Sequence, residues 1–106
     1  MAIEIIVLPS AQADIWSIIE RFIDVAGPGV AERFESALEA CFQRLAEYPR
    51  MGAVRERPNP ELRSLRFVVL SEFPNIVVYY RETPVTLDIV RVVDGRRQIS
   101  DDKFNG

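Results

Sequence analysis

The residues best suited to chemistry in this sequence are two arginines that follow a predicted strand near the C-terminus. Leu87 to Val93 is rich in branched apolar residues, which favour a buried strand, and Asp94-Gly95 is a turn signal that ends it. Arg96 and Arg97 come directly after this turn. Because a guanidinium is permanently charged and offers paired donors, these side chains could hold an acidic partner or a nucleic-acid backbone. A solvated turn is the plainer interpretation.

Other arginines fall on the predicted strands before this turn, and twelve of the thirteen basic residues are arginine. Arg66, Arg81 and Arg91 lie on adjacent predicted strands, so they could come together with Arg96 and Arg97 on the sheet face away from the helices. The sequence does not fix the register that decides this. Intramolecular ion pairs are the alternative. The possible pairs are Arg63 or Arg66 with Glu61 or Glu72, and Arg91 with Asp88 or Glu4.

The residue inventory excludes several kinds of site. Histidine is absent and Cys41 is the only cysteine, so Ser-His-Asp and Cys-His hydrolases, typical zinc sites and a disulfide within the chain are excluded. Cys41 falls in the apolar stripe of a predicted helix, where we expect a core residue, and a single cysteine agrees with a reducing compartment. We therefore expect no metal and no cofactor.

Length and charge describe an ordinary globular protein. The chain has 106 residues, 48% of them hydrophobic and 27% charged, which predicts one domain over residues 1–106 with a polar tail at 100–106 that could fray. The net charge of −3 argues against nucleic-acid binding through a broad basic surface. The first residues are apolar without a basic start, so we expect neither a signal peptide nor a membrane span, and a cytoplasmic location.

Charge is unevenly divided along the chain. Residues 1–53 hold eight acidic and four basic side chains, a net charge of −4, whereas residues 54–106 hold eight acidic and nine basic, a net charge of +1. Positive charge therefore concentrates in the half predicted to form most strands.

A first strand and two helices are predicted in the N-terminal half. Ile3 to Val7 is apolar on nearly both faces, which predicts an interior strand. Ser10 is a suitable N-cap for a helix that begins at Ala11, and Gly27-Pro28-Gly29 separates it from a second helix that ends at Tyr48-Pro49. A break this short predicts an antiparallel helical hairpin. We expect Trp16 to pack at the edge of the first apolar stripe, and an exposed tryptophan at an interface is the alternative.

Three strands are predicted in the C-terminal half, after an irregular connector from Arg50 to Glu61. They are Leu65–Val69, Ile76–Tyr80 and Thr86–Val93, joined by short links at Phe73-Pro74-Asn75 and Glu82-Thr83-Pro84. Short links predict an antiparallel meander. The fold class is therefore α+β: an N-terminal strand, an antiparallel helical hairpin, and a three-stranded meander, with the helices on one face of one small four-stranded sheet. Tyr79 and Tyr80 should point to opposite faces.

This pattern resembles the RelE/ParE superfamily of bacterial type II toxins, and particularly its ParE branch. The resemblance spans almost the whole chain and agrees with the predicted fold. It rests on Ala13-Asp14 with Ile18, Leu45 with Pro49 and Gly52, Leu62-Arg63, Val78-Tyr79-Tyr80, and Ile89-Val90-Arg91-Val92-Val93-Asp94-Gly95-Arg96-Arg97.

The resemblance implies one of two activities: proteins similar to RelE cut messenger RNA on the ribosome, and proteins similar to ParE poison DNA gyrase. RNA cleavage needs a base and an acid within hydrogen-bond reach of the reacting groups, and arginine is a poor base. Asp94 and Gln98 stand where many relatives have histidine and aspartate, and Ile99 to Gly106 contain no tyrosine. These residues favour a gyrase inhibitor that is not itself an enzyme. A ribosome-dependent endoribonuclease and a non-toxic antitoxin-binding relative are the alternatives.

The resemblance also implies a partner, a cognate ParD-like antitoxin whose flexible C-terminal segment folds onto the toxin. Its carboxylates would bind arginines, and its apolar side chains would enter grooves beside the helices. We expect no membrane contact, and no sequence-specific nucleic-acid binding by this chain alone. The residues predicted to bind the antitoxin or the target are Arg63, Arg66, Tyr80, Arg91, Arg96 and Arg97.

Overall fold

Two helices and five strands make up the described part of the chain, residues 3–54 and 65–95 of a computed structural model. In chain order the elements are β1 (Glu4–Val7), α1 (Pro9–Ala26), α2 (Pro28–Glu47), β2 (Ala53–Val54), β3 (Arg66–Leu70), β4 (Phe73–Glu82) and β5 (Thr86–Asp94). The α+β class, the two consecutive helices and the three-stranded meander are confirmed. Over these same residues, no helix combines the length and the apolar character needed to cross a membrane.

The sheet is mixed, with the strand order β1-β5-β4-β3-β2. Strands β3, β4 and β5 form the predicted antiparallel meander, and β1 runs parallel to β5 at one edge. The prediction of a four-stranded sheet with an interior first strand is therefore wrong. The two exposed residues of β2 gave no alternating pattern by which to predict a fifth strand. The edge position of β1 was not evident from the sequence, because polar groups from both helices cover this edge and its residues are apolar.

Two hydrogen bonds cover that edge. The Ile3 N–H donates to the carbonyl of Ala46 in the last turn of α2 at 3.0 Å, and Gln12 Nε2 on α1 donates to the carbonyl of Val7 at 3.0 Å. Covering an edge strand limits its pairing with other chains. An apolar edge strand is thus compatible with a soluble fold because helix groups take up part of its hydrogen-bonding capacity.

Two boundaries differ from the sequence prediction: the start of α1 and the turn of the first hairpin. Helix α1 begins at Pro9 rather than Ala11, with Leu8 as the N-cap and no side-chain cap, because proline suits the first helical position. The first hairpin turns at Ser71-Glu72 rather than around Pro74, since Leu70 pairs with Phe73. Glu72 takes the positive φ of 69° that this tight turn requires.

One core fills the space between the helices and one face of the sheet. Phe22, Phe34 and Phe73 form an aromatic cluster with ring centroids 5.5 to 5.9 Å apart. Cys41 and Tyr80 are buried in the same core, which confirms Cys41 as a core residue. Tyr79 lies outside this core and its ring packs at a tilt against that of Phe67, which confirms that the two tyrosines point to opposite faces.

Burial of two ionisable groups predicts a loss of stability at high pH. Burial raises the pKa of the Cys41 thiol from 9.0 to about 11, against a smaller opposing effect of Arg44, and burial also raises the pKa of Tyr80 above 10.0. A group whose pKa rises on folding stabilises the folded state below its unfolded pKa, and this contribution disappears as pH rises through the folded pKa. We expect the free energy of unfolding to fall by about 2 kcal/mol from Cys41 alone between about pH 8 and pH 11.

Urea denaturation at both pH values measures this change. Cys41→Ala is the control, because the variant keeps the contribution of Tyr80 and lacks that of the thiol. An equal loss of stability in Cys41→Ala and in the natural chain would show that the thiol does not cause it.

Candidate partner-binding site

The predicted site residue Arg91 lies at an irregularity of β5 and is bound by a carboxylate from α1. Its Nε donates to Asp14 Oδ2 at 2.6 Å and its Nη2 donates to Asp14 Oδ1 at 2.9 Å. The backbone N–H of Val92 also donates to Asp14 Oδ2, at 3.0 Å. This bidentate hydrogen bonding raises the pKa of Arg91, against the opposing effect of its partial burial. The carboxylate partner is thus on α1, and not one of the two proposed from the sequence.

A bulge in β5 accounts for this pairing. Tyr79 of β4 lies opposite Arg91 whereas Tyr80 lies opposite Ile89, so Val90 is an extra residue in the ladder. A bulge bends the strand and changes the direction of a side chain beside it. Simple alternation along the strand could not predict that Arg91 contacts a helix.

A second ion pair joins α1 and β5. Arg21 Nη2 donates to Asp94 Oδ2 at 2.5 Å, and Asp94 is only 6% exposed. Arg21 is seven residues after Asp14, about two helical turns, so both side chains lie on the face of α1 that meets β5. The helix contributes a carboxylate at one contact and a guanidinium at the other. Asp94 is therefore held in an ion pair between β5 and α1.

Tyr80 and Arg66 hold the segment that leads into β2. Tyr80 is fully buried, and its hydroxyl accepts a hydrogen bond from the Gly52 N–H at 2.8 Å. Arg66 Nη1 donates to the Gly52 carbonyl at 2.9 Å. A Cβ on Gly52 would lie 2.5 Å from the Tyr80 hydroxyl oxygen and 2.9 Å from the Phe67 carbonyl oxygen. Glycine is required here by the close approach of Tyr80, since no other residue fits without movement.

The arginines on the three meander strands make different contacts in the described part of the chain. Arg66 reaches the residues before β2, and Arg91 reaches α1. Arg81 lies opposite Asp88 in the ladder of β4 and β5. The ladder sets the three residues at neighbouring positions, since Arg66 lies opposite Tyr80 and Arg91 opposite Tyr79, but the side chains of Arg66 and Arg91 bind different parts of the chain. Arg63, Arg96 and Arg97 lie outside the described residues, and partner binding by any of the six predicted residues stays a prediction.

An apolar groove lies between α1 and α2, and we call it the helix groove; the resemblance implied grooves beside the helices, but the sequence reasoning did not predict the residues that line this one. It has a volume of about 450 Å³ and is lined by Val7, Gln12, Ile15, Trp16, Ile19, Glu35, Leu38, Glu39 and Phe42. Trp16 is 65% exposed, so the expectation that it packs at the edge of the core is wrong. The three- and four-residue spacing along each helix was a visible signal, but it was taken to mark core stripes only. Within residues 3–54 and 65–95, no cluster of three or more His, Cys, Asp or Glu could hold a metal ion.

The Asp14 contact predicts a large cost on truncation. Asp14→Ala leaves the guanidinium of Arg91, whose side chain is 22% exposed, without this carboxylate, and we expect the free energy of unfolding to fall by about 2 kcal/mol. Arg50→Ala is the control, because it removes the exposed ion pair between Arg50 and Glu82, for which we expect less than about 0.5 kcal/mol. Urea denaturation near neutral pH compares the two. Equal values would show that Asp14 does not tie α1 to β5.

The close contact at Gly52 predicts that alanine is not tolerated there. Gly52→Ala forces Tyr80 or β3 to move, and we expect a loss of about 2 kcal/mol in the free energy of unfolding. Gly29→Ala is the matched control, because nothing lies within 4 Å of a Cβ at this position of α2 and alanine favours a helix. Thermal unfolding should show a lower midpoint for the first variant only. A midpoint unchanged by Gly52→Ala would contradict the packing described.

Comparison with known proteins places the chain in the family that its motifs suggested. The family model for the ParE toxin of the type II toxin–antitoxin system, parDE, matches residues 5–99. A solved structure of the chromosomal ParDE toxin–antitoxin system from P. aeruginosa is similar, with a TM-score of 0.72 and 18% identity over 88% of this chain and 96% of that chain. A search of curated protein sequences finds no significant match. Because the family model matches most of its length, this chain belongs to the ParE toxin family of type II toxin–antitoxin systems.

Proposed function

We propose that this chain arrests bacterial growth by binding DNA gyrase in the cytoplasm and trapping its DNA-cleaving state, and that a ParD-like antitoxin neutralises it. The observation that carries the proposal is the match of the ParE toxin model to residues 5–99. It is supported by the absence of histidine from the sequence and by the burial of Tyr79, Tyr80 and Asp94. The chain would thus act by binding another enzyme rather than by catalysing a reaction.

The side chains that could move a proton argue against an RNA-cleaving activity. The sequence has no histidine. Tyr79 and Tyr80 are 9% and 0% exposed, and burial raises the pKa of Tyr80, which makes its hydroxyl a still poorer base. Asp94 is buried against Arg21. A general base must reach its substrate within hydrogen-bond distance, and these groups are enclosed by the fold.

Antitoxin binding is supported by the charge pattern and by the helix groove. The predicted arginines suit carboxylates of a partner, although Arg66 and Arg91 would exchange acceptors within the chain for those of the antitoxin. The helix groove offers an apolar surface for the remainder of a folding segment. The antitoxin would therefore contact the toxin on more than one face.

Induction of the chain alone in bacteria tests the target. We expect DNA-damage signalling within minutes while protein synthesis continues, and the purified chain should raise the amount of gyrase–DNA cleavage complex. Expression of the cognate antitoxin, sought in a neighbouring short reading frame, should restore growth. Gly52→Ala serves as a control for dependence on the folded chain, because its expected effect is on stability.

The other results separate the alternatives. Early loss of protein synthesis with cut messenger RNA would overturn gyrase inhibition in favour of an endoribonuclease. Accumulation of folded chain without growth arrest would overturn the toxic activity, and antitoxin binding by that chain would identify a non-toxic binding protein.

A further inference from the structure

We propose that the turn between β4 and β5 inserts two apolar side chains, those of Pro84 and Val85, into a preformed apolar pocket of the target enzyme. We call residues 83–86 the hairpin tip. The inference rests on the proposed function, because it names the part of the chain that contacts the target. It requires neither the helix groove nor the arginines predicted from the sequence.

The hairpin tip presents the most exposed large apolar side chain in the described part of the chain. Val85 is 77% exposed, and Pro84 beside it is also exposed. Hairpin turns usually carry glycine, asparagine, aspartate or serine, whose backbone freedom or polar side chains suit the turn. Valine brings neither advantage, and most of its side chain is in water here. The tip is therefore apolar at a position where polar residues are usual.

A network of hydrogen bonds around Thr83 orders the backbone of the tip. The Thr83 N–H donates to the Thr86 carbonyl at 2.8 Å. Thr83 Oγ1 accepts hydrogen bonds from the N–H groups of Val85 at 3.3 Å and of Thr86 at 2.9 Å. Pro84 has no N–H, and its ring fixes its φ. Each backbone N–H that residues 83–86 possess is thus bonded within the turn.

Side-chain hydroxyls tie the tip to β5. The Thr83 hydroxyl oxygen lies 2.8 Å from the Thr86 hydroxyl oxygen and 3.1 Å from the Thr86 carbonyl oxygen, to one of which it donates. The Thr86 hydroxyl donates to Asp88 Oδ1 at 2.9 Å. Ordering a loop at an interface costs free energy, so a loop that is ordered beforehand loses less entropy on binding. The tip can therefore contribute its apolar contacts without that cost.

The convex shape of the tip favours a folded partner over a flexible one. Side chains that project from a turn need a concave site, and such sites are largely preformed in folded proteins. A segment that is flexible when free has no preformed pocket, and it binds by entering grooves of the other protein. The proposed antitoxin contact is such a segment, whereas the proposed target is a folded enzyme. The tip is therefore assigned to the target.

The tip and the helix groove lie at opposite ends of β1. In the parallel pair of β1 and β5, Glu4 lies opposite Thr86 of the tip, whereas Val7, which lines the groove, lies opposite Ile89. Three residues of strand span about 10 Å. Substitutions in the tip should therefore affect target binding without affecting occupation of the groove.

Val85→Ser and Val25→Ser test the contact in a cleavage assay with purified bacterial gyrase and supercoiled DNA. Val25 on α1 is the matched control, because it is the same residue type and is 75% exposed. We expect Val85→Ser to raise by about 10-fold the concentration of chain that gives half-maximal cleavage complex, since an apolar contact is lost. Val25→Ser should stay within about twofold. The thermal midpoints of both variants should stay close to that of the natural chain, because both side chains are exposed.

Variants of Thr83 test whether the order of the tip contributes to binding. Thr83→Val keeps the shape of the side chain but removes the hydroxyl, and we expect about a fivefold higher half-maximal concentration because the turn loses its order. Thr83→Ser keeps the hydroxyl and should stay within about twofold of the natural chain. The effect of the oxygen is thereby separated from that of side-chain bulk. An unchanged value for Thr83→Val would overturn the role of the network.

The remaining results separate this inference from the proposed function. An unchanged half-maximal concentration for Val85→Ser, or an equal rise for Val25→Ser, would overturn the inference and leave the proposed function standing. No rise in cleavage complex with the natural chain would overturn the proposed function and this inference with it.

Two further measurements test the choice of partner. Isothermal titration with the cognate antitoxin should give the same affinity for Val85→Ser as for the natural chain. A loss of antitoxin affinity as large as the loss expected with gyrase would overturn the assignment to the target and make the tip an antitoxin contact. Sedimentation that shows self-association abolished by Val85→Ser would identify a second copy of this chain as the partner instead.

Discussion

The packing of the helices on the sheet depends most on the carboxylate of Asp14, which joins α1 to β5. One side chain on α1 accepts two hydrogen bonds from Arg91 and one from the backbone of Val92. A side chain–backbone bond of this kind fixes the position of the strand as well as the guanidinium. Because Arg91 and Asp14 are 22% and 17% exposed, water screens the pair less than a surface ion pair. The helix is thereby held at one rotation about its axis.

That rotation determines which face of α1 is exposed to solvent. With Asp14 and Arg21 directed to β5, and Ile18 and Phe22 in the core, Trp16 is left on the solvent side next to α2. The bulge at Val90 is part of this arrangement, because it places Arg91 within reach of the helix. An ion pair at the helix–sheet interface and an open groove on the opposite side of α1 are therefore two results of the same packing.

The sequence predicted the elements whose signals are local, and it did not predict what depends on register. The apolar spacing of both helices and the branched residues of β5 were sufficient for their positions, and ordered motifs were sufficient for the family. The edge position of β1, the bulge beside Arg91 and the Asp14 contact depend on pairing between residues far apart in the chain. The prediction for Trp16 was wrong because helical spacing indicates only that a residue lies near the apolar stripe. Spacing does not show which residues beside that stripe are covered by the neighbouring helix. Arg63, Arg96 and Arg97 lie outside the described residues, so their role in binding stays a prediction.

The ion pairs between α1 and β5 leave the charge difference between the two halves of the sequence unchanged. The α1–β5 contacts neutralise Asp14 and Arg21 from the helical half, and Arg91 and Asp94 from the strand half. Each half gives up one charge of each sign, so the net charges of −4 for residues 1–53 and +1 for residues 54–106 are unchanged by the pairing. The difference in net charge between the two halves of the sequence thus lies in side chains outside the α1–β5 contacts. On α2, the exposed Glu35 and Glu39 would repel a uniformly acidic segment of a partner.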